Sequence, residues 1–186
     1  MSRIGKPVRL NNKGKQMTAE KKNRIFFYLF LFLTITWMIV IFVFSSQNAE
    51  KSTDTSHYVG MIFGKIFVPG FKELSSDKQF EFAAQIDYPV RKTAHACAFG
   101  LIGFFSFMTV FFFARSRGKA EKKRIWIYGL SALAFSVAYA ASDEFHQLFV
   151  PGRAGKITDV LIDSSGALVF ILFSILFINL IERKRQ

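Results

Sequence analysis

The chain has 186 residues, 51% of them hydrophobic and 24 of them Phe, with 25 Lys and Arg against 13 Asp and Glu for a formal net charge of +12. Its apolar residues come in long blocks rather than at amphipathic spacing, which excludes an ordinary soluble domain and reads as one membrane-embedded domain. The basic residues collect at the margins of those blocks rather than on one stacking surface, so they point to topology and anionic lipid head groups, not to nucleic acid. Cys97 is the single cysteine and lies in an apolar run, which rules out an intrachain disulfide and suits a small hydrophobe.

Residues 1–24 hold eight Lys or Arg and one acid, Glu20, without apolar periodicity; the expectation is a disordered basic tail in the cytoplasm. Ile25 to Phe44 contains no charge in twenty residues, which at about 1.5 Å per residue matches a hydrocarbon core of roughly 30 Å. It is longer than a signal-peptide core and no small-residue cleavage pattern follows, so it reads as an anchor. Residues 45–92 form a mixed loop. Within it Thr55 to Phe67 has helical spacing that ends before Pro69-Gly70, and a second helix is expected from Ser76, with Gln79 as its capping-box partner, to about Ile86. Asp87-Tyr88-Pro89 breaks it. Both helices are too short to span and read as interfacial or lid helices.

Further spans are expected over residues 94–113, 125–142 and 160–181, with a basic loop at 114–124 and a basic end at 182–186. The fold class is therefore an all-α integral membrane protein with four transmembrane helices and short interfacial helices in the first outer loop. Eight, six and three basic residues in the tail, the 114–124 loop and the C-terminal end place both termini in the cytoplasm. Every unusual polar group then falls at the opposite face. Ser45, Ser46 and Gln47 end the first span, Arg91, Lys92 and His95 begin the second, Asp143 to Gln147 end the third, and Asp159 and Asp163 begin the fourth.

Helical spacing groups them further: Arg91 with His95, Asp143 with His146 and Gln147 above Tyr139, and Asp159 with Asp163. Gly166 and Ala167 continue the last face with small residues that admit another helix. The connection from Phe149 to Lys156 reads as a short turn of type II chemistry at Pro151-Gly152, which lets Arg153 return to the cluster.

Three stretches carry a family resemblance: Arg91-Lys92-Thr93-Ala94-His95, then Asp143-Glu144-Phe145-His146-Gln147-Leu148-Phe149-Val150-Pro151-Gly152-Arg153, then Asp159-Val160-Leu161-Ile162-Asp163-Ser164-Ser165-Gly166. Together with Phe44-Ser45-Ser46-Gln47 they resemble the VanZ family of bacterial membrane proteins over roughly Trp37 to Phe170. The chain departs from the family pattern at Asp163, where Asn is frequent, and at Ala98 and Phe99, where an acid and a Tyr are. The resemblance implies a place in the cell envelope and, from the family's founding member, reduced sensitivity to teicoplanin-type lipoglycopeptides.

Several readings of the polar layer stay open. One is an internal network in which Arg91, Lys92 and Arg153 neutralise Asp143, Asp159 and Asp163 and set helix register. The favoured one is recognition: Arg91, Lys92, His95, Gln147, Arg153, Asp159, Asp163, Ser46 and Gln47 form a pocket for a phosphate- or carboxylate-bearing amphiphile, such as a membrane lipid, an undecaprenyl-linked wall precursor or a lipoglycopeptide. The enzymatic alternative is a hydrolase or transferase with Asp143, Glu144 and His146 as acid and base. A metal held by His95, Asp143, His146 and Asp159 is disfavoured by the nearby cations, and no cofactor is expected. Four helices without visible inverted repeats argue against a transporter's proton relay.

Overall fold

Hydrocarbon offers a backbone no partner, so a segment that crosses it must satisfy its own N–H and C=O groups. The four apolar blocks accordingly form long helices. The computed structural model describes residues 7–118 and 124–184, with side chains from residue 17 onward. In chain order the helices are α1 (Pro7–Ser45), α2 (Ala49–Phe67), α3 (Ser76–Gln85), α4 (Asp87–Ser116), α5 (Ile125–Gln147) and α6 (Ile157–Arg183), with a 3-10 turn at Phe71–Glu73 and no strand among the described residues. Four stretches, Met17–Ser45, Asp87–Ser116, Ile125–Gln147 and Ile157–Arg183, are long and apolar enough to cross a membrane. The protein is a multi-pass membrane protein.

Each helix overruns its apolar block. Helix α1 begins at Pro7, inside the stretch expected to be disordered, because Gln, Met, Ala, Glu and Lys extend a nucleated helix at little cost. Residues 1–6 of that tail, 119–123 of the basic loop and 185–186 of the basic end lie outside the described residues. Helix α4 begins at Asp87 rather than Ala94. Pro89 does not break it, since in a helix's first turn the missing N–H would have had no acceptor. Helix α5 carries Asp143, Glu144 and His146 inside its last turns.

Helix α2 starts earlier than expected, at Ala49, because Asn48 caps it by accepting from Lys51 N–H. The capping box of Ser76 and Gln79 does not form. Gln79 Nε2 donates instead to Phe71 O and Leu74 O, closing the turn that leads into α3. Gly60 and Gly64 let α3 and the Phe71 ring come close; a Cβ at Gly64 would lie 2.5 Å from that ring. Ser56 on α2 donates to Asp87, and Thr53 accepts from Arg91 at 3.4 Å, so α2 is tied to the start of α4.

Helix α4 is the centre of the bundle and packs against α1, α5 and α6. Its contact with α6 is backbone-close. A Cβ on Gly166 would lie 2.0 Å from Ala96 O, and one on Gly103 would lie 2.6 Å from Ala167 O. Small residues are what let van der Waals attraction join helices where no hydrophobic difference exists between helix and lipid. Phe107, Phe111, Tyr128, Ile171 and Ile175 form one buried cluster and Ile41, Phe99, Ile102 and Ala140 another. Phe113, by contrast, is exposed on the outside of the bundle. Cross-helix hydrogen bonds pin α1: Trp37 Nε1 to Ala98 O at 2.9 Å, and Tyr139 O–H to Met38 O at 2.7 Å.

Candidate functional site

At one end of the bundle α1 and α5 finish while α4 and α6 begin, and the polar residues meet there. Ser45, 1% exposed, closes the inner face of α1 that Trp37 and Ile41 start. Its Oγ donates to Asp143 Oδ2 at 2.9 Å, and Gln147 Nε2 donates to Ser45 Oγ at 2.9 Å and to Asp143 Oδ2 at 3.0 Å. The i,i+4 relation of Asp143 and Gln147 is thus a bonded one. Three buried side chains satisfy one another and lock α1 to α5, although Asp143 Oδ1 has no partner.

The connection to α6 folds back over this layer. Arg153 N–H donates to Val150 O at 3.1 Å, and Gly152 takes φ 75°, so Pro151-Gly152 forms the expected turn with the left-handed residue at its third position. That turn aims Arg153 inward: Nε donates to Gln47 O at 3.0 Å and a terminal nitrogen lies 3.5 Å from Gln147 Oε1. Glu144 Oε2 accepts from Lys156 N–H at 2.9 Å, tying the end of the loop to α5. Gly155 packs so closely there that a Cβ would lie 2.6 Å from Glu144 O.

From α4 come three more groups. Lys92 Nζ pairs with Asp159 Oδ2 at 2.6 Å and joins α4 to α6. Arg91 pairs with Asp87 at 2.8 Å, one turn back on its own helix. His95 lies deeper on the same face. Together these elements wall a cleft of about 240 Å³, into which Arg91, Lys92, His95, Glu144, Gln147, Arg153, Asp159 and Asp163 all project. A larger cleft of about 320 Å³ lies at the other end between α5 and α6, lined by Ile125, Trp126, Leu176, Asn179, Leu180 and Arg183. It has one charged wall residue and no convergent polar set, so the smaller cleft is the better candidate.

Four of the residues singled out from sequence are not on its wall. Asp143 sits beneath it in the Ser45 and Gln147 network. Gln47 reaches the site through its carbonyl. Ser46 lies one residue, and so about 100° of helix rotation, away from Ser45. It meets His146 instead, with Oγ 3.1 Å from Nε2 and the imidazole 4.6 Å from the Phe42 ring. Glu144 and His146, two residues apart on α5, point to different sides, and the acid–base pair considered for an enzyme is not assembled. Nor do His95, Asp143, His146 and Asp159 come together: the described residues hold no group of three or more such ligands placed to hold a metal ion.

Tyr88, Lys156 and the Ala49 end of α2 also line the cleft, and Asp87, Thr53 and Ser56 support Arg91. Ser45 had a signal in the chain, its i,i+4 spacing from Ile41 and i,i+8 spacing from Trp37. The Asp87, Thr53 and Ser56 contacts had none, because they depend on how α2 folds back.

The charges are unevenly matched. Arg91 and Lys92 have carboxylate partners, whereas Arg153 is half-buried and joins no ion pair among the described residues. Burial, and after it the nearby Arg91, holds the Arg153 guanidinium below its ordinary value, with Asp143 and Glu144 acting in the opposite sense. An anion delivered to Arg153 would relieve both costs.

No curated protein and no solved structure matches the chain. The family model VanZ/LLP1 matches residues 30–178, from the middle of α1 to the last turns of α6, and so spans every residue that walls the cleft. The protein belongs to the VanZ/LLP1 family.

Proposed function

We propose that the cleft binds the anionic head group of an amphiphile at the outer leaflet, a lipid-linked envelope molecule or a lipoglycopeptide, without turning it over. The observation that carries this reading is Arg153: a guanidinium without a carboxylate partner among the described residues, partly withdrawn from water, on the wall of a cleft roomy enough for a phosphate or carboxylate. At roughly 30 Å³ per water, about 240 Å³ holds some eight waters' volume. That suits a head group or a terminal carboxylate and leaves the rest of a large ligand outside. Lowered sensitivity to teicoplanin-type antibiotics would follow from binding either the drug or the precursor it targets.

Loss of a charge-assisted contact worth about 1.5–3 kcal/mol corresponds to roughly a 10- to 100-fold weaker affinity. Arg153→Ala is therefore expected to lose the lipid that co-purifies with the wild-type protein in mild detergent, as read by native mass spectrometry, and to lose any antibiotic tolerance the protein confers. Glu144→Gln keeps an acceptor for Lys156 N–H and should leave both largely intact. Retention of lipid and tolerance by Arg153→Ala would refute the binding reading; loss of function by Glu144→Gln with binding kept would favour catalysis.

The same reading puts both termini in the cytoplasm, because the basic segments flank the end of the bundle opposite the cleft. Helices α2 and α3 then lie at the outer interface, with Tyr58, Ile62, Ile66, Phe67 and Phe80 exposed to insert among lipids. In a Cys97→Ala background, Ala154→Cys is expected to react with an impermeant maleimide from outside intact cells and Lys184→Cys to react only after permeabilisation. The reverse pattern would invert the topology and remove the outer-leaflet ligand.

A further inference from the structure

Asp163 is the least explained group at the cleft. It is 1% exposed and lines the cleft's wall, yet its Oδ2 has no hydrogen-bond partner and it joins no ion pair among the described residues. Lys92, on the same cleft wall, is already committed to Asp159 at 2.6 Å, one helical turn nearer the loop. Glu144, also buried and on the same wall, gives one oxygen to a backbone N–H and joins no ion pair either. Among the described residues the cleft wall therefore carries a cation without a carboxylate partner at Arg153, on the loop, and a carboxyl oxygen without a donor at Asp163, inside α6. Asp163 lies six residues into α6, or roughly 9 Å along the helix at 1.5 Å per residue.

An internal network made only for register would pair these groups with each other. Instead Arg153 and Asp163 line the cleft without pairing among the described residues, and a buried carboxylate left without a donor is costly in a medium that hydrates it poorly. A ligand bearing both signs would satisfy both ends. We infer that the head group bound here is zwitterionic, with its phosphate or carboxylate at Arg153 and a protonated amine donating to Asp163. This rests on the anion-binding reading above and names the class of head group. A quaternary ammonium carries the charge but no N–H, so it would gain little from a carboxylate that needs a donor.

Three detergent-like phosphodiesters of equal phosphate charge separate the contributions: dodecyl methyl phosphate, dodecyl phosphoethanolamine and dodecylphosphocholine, each titrated by calorimetry into the full-length protein in a non-ionic maltoside. The phosphoethanolamine is expected to bind the wild type about tenfold more tightly than the methyl phosphate, and the phosphocholine no more than about twofold more tightly, since one charge-assisted hydrogen bond is worth about 1.4 kcal/mol or more. Asp163→Asn, close in shape, should reduce the tenfold preference to about twofold and leave the methyl phosphate affinity unchanged. Arg153→Ala should weaken all three alike.

Equal wild-type affinities for the phosphoethanolamine and the methyl phosphate would overturn the inference and leave Asp163 a neutral, structural carboxyl. So would an Asp163→Asn protein that keeps the full preference. The wild-type comparison needs no variant to fold. If methyl phosphate binding is unaffected by Arg153→Ala, the anion-binding reading itself falls, a result distinct from loss of the amine preference alone.

Discussion

Gly166→Leu is expected to separate α6 from α4 and to destabilise the bundle more than any other single substitution in the membrane-spanning part. Even the first carbon of a side chain there would lie 2.0 Å from Ala96 O, and the obstacle is backbone, which cannot turn aside as a flexible side chain can. Overpacking of a core costs about 1–3 kcal/mol where neighbours can shift; here α6 must move bodily, and the cost should reach or pass the top of that range. The matching approach of Gly103 to Ala167 O means that the same displacement loosens two contact points. In detergent, Gly166→Leu should lower the midpoint of thermal aggregation by many degrees, with Gly166→Ala intermediate and Cys97→Leu, on an exposed position of α4, close to wild type. A Gly166→Leu protein as stable as Cys97→Leu would contradict the close α4–α6 packing. Binding should fail as well, because Lys92 and Asp159 are carried by those two helices and pair only at their present separation.

Asp143→Leu should destabilise the bundle and Asp143→Asn should leave it nearly unchanged. Asp143→Leu removes the acceptor of both Ser45 O–H and Gln147 N–H and leaves them buried, while forcing a branched side chain into a polar layer. Hydrogen bonds between membrane helices average about 0.6 kcal/mol with a maximum near 1.7. Two lost bonds, plus the penalty for unsatisfied groups, sum to about 2–4 kcal/mol. Asp143→Asn keeps an oxygen where Oδ2 now accepts and removes a buried charge that has no ion-pair partner among the described residues, which offsets the cost of an N–H₂ at the unpartnered Oδ1 position. It should be neutral within about 1 kcal/mol. The measurement is chemical or thermal unfolding of the two variants side by side in one detergent. A large loss in Asp143→Asn equal to that in Asp143→Leu would mean that the negative charge, rather than the hydrogen-bond geometry, holds α1 to α5.

Much of the site could be read from the chain. The i,i+4 relation of Asp143 to Gln147, the turn at Pro151-Gly152 that returns Arg153, and the small residues at Gly166 and Ala167 are all short-range features, and each has the geometry its spacing implies. At the helix ends the structure departs from the sequence reading: Ser45 rather than Ser46 faces inward, and Glu144 and His146 part, because neighbours in sequence look like neighbours in space there. The capping box of Ser76 and Gln79 failed since Gln79 found carbonyls of the preceding turn instead.

Hydropathy, the margins of basic residues and turn chemistry act within a few residues of themselves, and so the number of spans, the polar end of the bundle and the route of the 148–156 connection follow from the chain without further knowledge. Which way each helix faces does not, because one residue rotates the helix by about 100° and a lipid-exposed face is as apolar as a buried one. That choice came from the packing of α4 against its three neighbours. It put Ser45 inside and Ser46 out, gave Lys92 to Asp159 and Arg91 to Asp87, and, among the described residues, left Arg153 without a carboxylate partner and Asp163 Oδ2 without a donor on the wall of one cleft.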